Sequence, residues 1–83
     1  MEITDVRIRT VEGNDKLKAY ATVTFDNEFV VHNIKVISSA NGYFIAMPSK
    51  SSSDGSFKDI AHPISTAFRE KLSEAILSRF NTV

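Results

Sequence analysis

The sequence predicts an α+β protein in which an antiparallel meander of four to five strands packs on one C-terminal amphipathic helix. Up to Met47, apolar residues recur with the two-residue period of β-strands, and turn-forming residues interrupt the pattern. From Ser65 onward the apolar residues recur about every 3.6 positions, which is the period of an α-helix. The 83 residues suffice for a single domain, residues 1–83, with one small core.

The first two predicted strands alternate apolar and polar side chains. Residues 1–12 place Val6 and Ile8 on one face, and Arg7 and Arg9 on the other. A turn signal at 13–15 precedes the second strand. We expect this strand to point five side chains into the core: Leu17, Ala19, Ala21, Val23 and Phe25.

The third predicted strand, residues 28–37, is the most apolar segment of the chain. Asp26 and Asn27 precede it, and both residue types tolerate the positive φ of a tight hairpin turn. Apolar side chains such as Val30 and Val31 alternate onto both faces of the strand. We therefore expect the helix to cover one face and another protein subunit to cover the other, as in a dimer.

A fourth strand and a polar connection lead to the helix. Turn residues at 41–42 precede a strand at 43–47, and Pro48 either ends it or places it at a sheet edge. Residues 49–56 are predicted to be a flexible polar loop, followed by a short return strand at 57–60. We expect four residues to form a structural corner around this connection: Pro48, Asp59, His62 and Pro63. The His62 side chain is expected to fix the corner through a hydrogen bond.

The predicted helix has a single apolar stripe and a suitable start. The stripe comprises Phe68, Leu72, Ala75, Ile76 and Phe80. Ser65 or Thr66 is a suitable N-cap, and Pro63 fits the approach to a helix better than its interior.

Charge and cysteine content limit the classes of protein that need consideration. Ten basic residues balance ten acidic ones, which argues against a protein that coats nucleic acid by bulk charge but permits a local basic patch. The chain has no cysteine for disulfides or thiolate metal sites. No apolar run is long enough for a signal peptide or a membrane span, so we expect a cytoplasmic protein without a membrane partner.

The sequence offers little for catalysis. His32 and His62 are the only histidines and lack metal-ligand spacing. The serines near position 50 lack the G-x-S-x-G pattern of a nucleophile, and the chain contains neither a P-loop nor a G-x-G-x-x-G motif. We expect no enzymatic activity, no metal, no cofactor and no small-molecule substrate.

Several basic residues are candidates for phosphate contacts. Arg7 and Arg9 lie two apart on one strand face, a geometry that can follow successive phosphates. On a helix, Lys71 and Arg79 lie within about 80° of each other, whereas Arg69 and Lys71 are about 200° apart. Ordinary solvated surface charge is the alternative interpretation of all these residues.

Two linked motifs of the chain resemble the SpoVG family of bacterial septation and sporulation regulators. The first motif is F-x-A-M-P-S-[KR], and the second is D-G-x-x-x-D-I-x-H-P-I. In this chain they read Phe44, Ala46, Met47, Pro48, Ser49 and Lys50, then Asp54, Gly55, Asp59, Ile60, His62, Pro63 and Ile64. The similarity extends from residue 1 to about residue 80.

The resemblance implies a small dimeric regulator of sporulation, septation and transcription that binds DNA with some site preference and also binds RNA. It implies contacts from the loop after the first motif and from the following helix. Carried onto this chain, these are Lys50, Lys58 and Arg69, with Lys71 and Arg79 as weaker candidates. The strand residues Arg7 and Arg9 complete the predicted set.

This chain departs from the family pattern in the same loop. Ser51 stands where most relatives have a second basic residue, and Ser53 where many have proline. Losing one cation lowers the salt slope of binding by about 0.9, and losing a proline leaves the unbound loop more mobile. A module that binds other proteins during septum formation, without contacting nucleic acid, is the second hypothesis.

Overall fold

Four antiparallel strands in consecutive order form the main sheet of the computed structural model, which describes residues 1–82. The elements are β1 (Ile3–Thr10), β2 (Leu17–Phe25), β3 (Phe29–Ser39), β4 (Gly42–Ala46), β5 (Ser49–Ser51), β6 (Phe57–Asp59) and α1 (Thr66–Asn81). The predicted α+β class, with a meander followed by one helix, is confirmed. The strands β5 and β6 form a separate two-stranded sheet.

The turn between β2 and β3 is the predicted tight hairpin. Asp26 and Asn27 have φ values of 52° and 55°, and two consecutive left-handed residues are the signature of the turn that matches the twist of paired strands. The backbone then pairs Phe25 with Phe29, which sets the register of the central hairpin.

The core lies between one face of the main sheet and the helix. The predicted inward residues of β2 are buried from Ala19 to Phe25, and Ile34 and Val36 from β3 join them. Leu72 and Ile76 bring the helix stripe into the same cluster. The Phe25 and Phe68 rings approach to 5.9 Å between centroids and tie the helix start to β2.

Leu17 does not share the inward face that its spacing predicted. A register shift between Leu17 and Ala19 pairs Leu17 with Ile37, while Ala19 pairs with Val36. Paired residues of neighbouring strands share a face, and Ile37 lies on the face away from the helix. The register shift therefore places Leu17 on that face as well.

The two faces of β3 differ in burial. Ile34 and Val36 are buried under the helix, whereas Val30 on the other face is 44% exposed and Ile37 is half-buried. Nothing in the described residues covers this second face, so its cover by another subunit stays a prediction. A second register shift, beside Thr22, places two residues of β3, His32 and Asn33, opposite one of β2.

The segment after β4 is more ordered than the sequence indicated. The prediction of a flexible loop over 49–56 was wrong for Ser49–Ser51, which pairs with the return strand Phe57–Asp59. Serine has little strand preference of its own, so pairing with the partner strand decides the conformation. Within residues 1–82 no helix is long and apolar enough to cross a membrane.

The start of the helix follows the predicted cap. The Ser65 hydroxyl accepts a hydrogen bond of 3.2 Å from the backbone N–H of Phe68, and Ser65 itself has extended backbone angles. This arrangement satisfies one of the free N–H groups of the first turn.

Candidate nucleic-acid interface

The two ends of the β5–β6 hairpin are held together where the hairpin leaves the core. Met47, just before it, is buried, and the N–H of Ile60, just after it, donates a 2.7 Å hydrogen bond to the carbonyl of Pro48. The two ends of the hairpin are therefore linked at the predicted corner. Asp59 pairs with Ser49 at the first position of the ladder.

Lys50 and Lys58 lie directly opposite each other in the hairpin. Side chains at such positions share a face, with Cβ atoms about 4.5–5.5 Å apart, and two like charges there repel each other. Both lysines are exposed, and neither forms an ion pair within the residues that the structure describes. The pair is thus a concentrated positive charge that an anion would stabilise.

The tip of the hairpin is organised around the carboxylate of Asp54. The hydroxyls of Ser52 and Ser56 donate to its Oδ1, and the backbone N–H of Ser56 donates at 3.1 Å. These hydrogen bonds lower the pKa of Asp54 from 3.8 to about 2, and the bond from Ser52 has the largest effect. The Asp54 carboxylate therefore stays charged to a lower pH than an ordinary aspartate.

His62 and Pro63 lie in the segment between the hairpin and the helix. Nδ1 of His62 lies 3.0 Å from the carbonyl oxygen of Pro63, within hydrogen-bonding distance. Three residues further, Thr66 begins the helix, whose first turn contains no acidic residue. The exposed N–H groups of such a turn favour a negatively charged ligand.

The basic residues of the helix occupy two different flanks. Arg69 lies within about 20° of Phe80 around the helix axis. Phe80 packs edge-on against Tyr43 of β4, with centroids 5.2 Å apart, so this flank faces the β4 side from which the hairpin continues. Lys71 and Arg79 instead line a groove beside residues Ile3 to Val6 of β1.

Arg7 and Arg9 are exposed on the face of the main sheet that points away from the helix. Nε of Arg7 forms a 3.0 Å ion pair with Asp5, whose side chain is 42% exposed. The guanidinium carbon of Arg9 lies 5.5 Å from the centre of the Tyr20 ring. The structure thus places the seven predicted cations on three surfaces: the hairpin side with Arg69, the helix flank beside β1, and the open sheet face.

An exposed apolar groove is a feature that the sequence reasoning missed. Phe29, Ile60 and Ile64 are 62%, 69% and 96% exposed, and they line a groove of about 660 Å³ beside the helix start. The signal was present, since Ile60 ends the predicted return strand and Ile64 is an apolar residue between that strand and the predicted helix. Among residues 1–82, no group of three or more acidic, histidine or cysteine side chains is placed to hold a metal ion.

Together these features define a small α+β protein in which a lysine-bearing hairpin follows the sheet and precedes the helix along the chain. The chain belongs to the SpoVG family, whose family model, described as SpoVG, matches residues 1–82. This assignment agrees with the resemblance of the two linked motifs.

Relatives with high identity share a single name, "Putative septation protein SpoVG". The chain is 63% identical to the protein of Clostridium acetobutylicum over 83 residues, which is 100% of this chain and 87% of the relative. It is 60% identical to the protein of Clostridium kluyveri, with 86% of that relative covered, and 59% identical to that of Acetivibrio thermocellus, with 88% covered. In both cases the match spans 100% of this chain.

Proposed function

We propose that this protein is a site-preferring DNA- and RNA-binding regulator without catalytic activity, and that the β5–β6 hairpin is its principal contact. The observation that carries the proposal is the cross-strand pair of Lys50 and Lys58, which lacks an ion-pair partner within the described residues. Phosphate groups of a nucleic acid would supply an anionic partner for these two lysines, and they would do so regardless of base sequence.

Neighbouring groups extend the positive surface around the hairpin. Arg69 lies on the helix flank that faces the β4 side, and the first helical turn has no acidic residue. In the proposed complex Arg69 and the free N–H groups of this turn add phosphate contacts, while Lys71 and Arg79 contribute from the other flank. The polar hairpin tip, from Ser52 to Ser56, is the segment we assign to any preference for particular bases.

We also propose that the protein acts as a homodimer. The apolar groove around Phe29, Ile60 and Ile64 is exposed and lies next to the hairpin. Burial of such side chains against a second copy would remove apolar area from water, which stabilises association. A dimer also doubles the number of hairpin lysines available to one nucleic acid.

The biological setting in the proposal follows the relatives. Proteins about 60% identical to this chain are named for septation, and the family resemblance adds sporulation and control of transcription. We propose the same setting for this protein, in the cytoplasm where nucleic acid is accessible.

The proposal is tested by removing both hairpin lysines. Lys50→Ala with Lys58→Ala is expected to weaken binding of duplex DNA and of RNA at least about tenfold, because a hydrogen bond to a charged group contributes roughly 1.5–3 kcal/mol. Fluorescence anisotropy with labelled DNA and RNA measures the change. Lys16→Ala with Lys18→Ala removes the same charge outside the predicted set and is the matched control. Equal affinities of the two double variants would contradict the proposal.

A second candidate function is a protein-interaction module for septum formation. Phe57 on the hairpin is 74% exposed, and with Ile60 and Ile64 it places apolar side chains beside the lysines. A partner protein would bury these side chains. If wild-type protein binds neither DNA nor RNA at low salt, this second function replaces the first.

A further inference from the structure

A shallow depression lies on the open face of the main sheet, away from the hairpin and the helix. Its volume is about 220 Å³. The residues that line it include Arg7, Arg9, Tyr20, Thr22, His32 and Asn33. Every one of these six side chains can donate a hydrogen bond. Asp5, which does not line the depression, pairs with Nε of Arg7 at 3.0 Å and leaves the terminal N–H groups of that guanidinium for a ligand.

Strand register explains why these side chains converge. Arg9 pairs with Tyr20, and Arg7 pairs with Thr22, so each arginine of β1 lies directly beside a polar residue of β2. The register shift of β3 places His32 and Asn33 together opposite Thr22. On the other side of Tyr20 the paired residue of β3 is Lys35. Tyr20 is therefore flanked by a cation on each side across three strands.

Arg9 and Tyr20 form a cation–π pair. The guanidinium carbon of Arg9 is 5.5 Å from the centre of the Tyr20 ring, and Tyr20 is half-buried while Arg9 is exposed. The Arg9 guanidinium thus lies within cation–π distance of the Tyr20 ring, and this pair presents a planar cation and an aromatic group at the open sheet face. Arginine guanidinium groups and aromatic rings are the side chains on which an unpaired nucleic-acid base can stack.

We propose that this depression binds single-stranded nucleic acid, with an unpaired base stacked on Arg9 and the adjoining phosphate held by Arg7 and Thr22. The inference rests on the proposed function and divides nucleic-acid binding between two surfaces. It requires the open sheet face to stay uncovered, with the dimer formed through the groove around Phe29, Ile60 and Ile64 instead of through the second face of β3. The hairpin lysines contact phosphates of duplex and single strands alike, whereas the sheet face selects single strands.

The shape of the surface favours a single strand over a duplex. Bases of a duplex are stacked on one another and paired, so they cannot lie flat on a guanidinium. A shallow depression on a sheet also has no projecting element that would enter a groove. An acidic peptide would satisfy the arginines but would leave the stacking surface unused, which is why we favour nucleic acid.

The test compares single-stranded and duplex probes. Anisotropy is measured for a labelled ten-nucleotide RNA and for a labelled DNA duplex, with the wild type, Arg9→Ala and Tyr20→Leu. We expect both variants to weaken RNA binding about tenfold and duplex binding less than twofold. Lys16→Ala, which removes one positive charge elsewhere, is expected to affect the two probes equally and weakly.

Conservative variants separate stacking from charge and from folding. Tyr20→Phe keeps the ring and is expected to bind RNA like the wild type, whereas Arg9→Lys keeps the charge but loses the planar group and is expected to resemble Arg9→Ala. Thermal unfolding of each variant confirms that it is folded under the binding conditions. RNA affinity that is unchanged in Arg9→Ala would overturn the inference.

The remaining outcomes distinguish this inference from the proposed function. If Lys50→Ala with Lys58→Ala weakens both probes and Arg9→Ala weakens neither, the hairpin function stands and the sheet site is wrong. If Arg9→Ala weakens both probes equally, the selection of single strands is wrong. If poly-glutamate displaces the RNA from the Lys50→Ala, Lys58→Ala protein as effectively as unlabelled RNA does, the sheet site binds acidic peptides and the inference is wrong.

Discussion

Asp54 shows how a single carboxylate organises the hairpin that carries the proposed function. Two hydroxyls and one backbone N–H donate to it, and all come from Ser52 and Ser56. Because the residues that it bonds lie within two positions along the chain, this contact stiffens the tip without any help from the core. These local hydrogen bonds favour the turn conformation of the exposed tip.

The Asp54 interaction predicts a specific dependence on pH. Its pKa is lowered from 3.8 to about 2, so the carboxylate supports the tip fully above about pH 4. That support is lost as the pH falls through about 2. A carbon-detected NMR titration of the Asp54 carboxyl group measures the midpoint directly.

Serine variants provide the control for this titration. Ser52→Ala with Ser56→Ala is expected to return the midpoint toward 3.8, since both hydroxyl donors are removed. Ser53→Ala, at the neighbouring position, is expected to leave it unchanged. A midpoint near 3.8 in the wild type would show that these hydrogen bonds are not maintained in solution.

Some residue placements follow from the sequence and some do not. Alternation correctly placed Val6 and Arg7 on opposite faces of β1, because a strand has a fixed two-residue period. The sequence did not predict the pairing of Lys50 with Lys58, because cross-strand register depends on the turn that joins the strands. Leu17 was misplaced for a similar reason, because an irregularity in register leaves no mark in the pattern of apolar residues.

At the scale of elements, the helix is well specified by its own residues. Its apolar stripe and its cap both agree with the sequence, and the Ser65 hydroxyl bonds the N–H of Phe68. The hairpin of β5 and β6 is specified less well, because serines and lysines carry no strand period. The sequence predicts best the elements with the most apolar residues. The hairpin that carries the proposed function is mostly polar, so the sequence predicts it less well.

The helix cap gives a prediction about stability. Ser65→Ala is expected to lower the free energy of unfolding by about 1 kcal/mol, because the N–H of Phe68 loses its acceptor. Urea unfolding followed by circular dichroism measures the difference. Ser78→Ala, an exposed change within the same helix, is the matched control and is expected to be nearly neutral. Equal midpoints for the two variants would count against the cap.

At the scale of the whole molecule, the uncovered apolar groove is the surface at which we expect a second copy of the chain to bind. Ile64 is 96% exposed, so the isolated chain gains almost nothing from its side chain. The sequence pointed to β3 as the strand that meets another subunit. The structure adds the segment before the helix, which no periodicity marked.

The dimer is tested through this residue. Ile64→Glu is expected to shift the protein toward monomer, because a carboxylate at the groove would have to be desolvated on association. Sedimentation velocity across a range of concentrations reports the population of dimer. Ser53→Glu adds the same charge on the hairpin tip and is expected to leave the dimer intact. A dimer population unaffected by Ile64→Glu would place the subunit interface elsewhere.

The central claim, that the hairpin lysines contact phosphates, is tested most directly by the salt dependence of DNA binding. The logarithm of the binding constant is plotted against the logarithm of salt concentration for the wild type and for Lys50→Ala with Lys58→Ala. Two lost phosphate contacts are expected to reduce the slope by about 1.8 per protomer, since each contact contributes about 0.9. Parallel lines for the two proteins would contradict the claim.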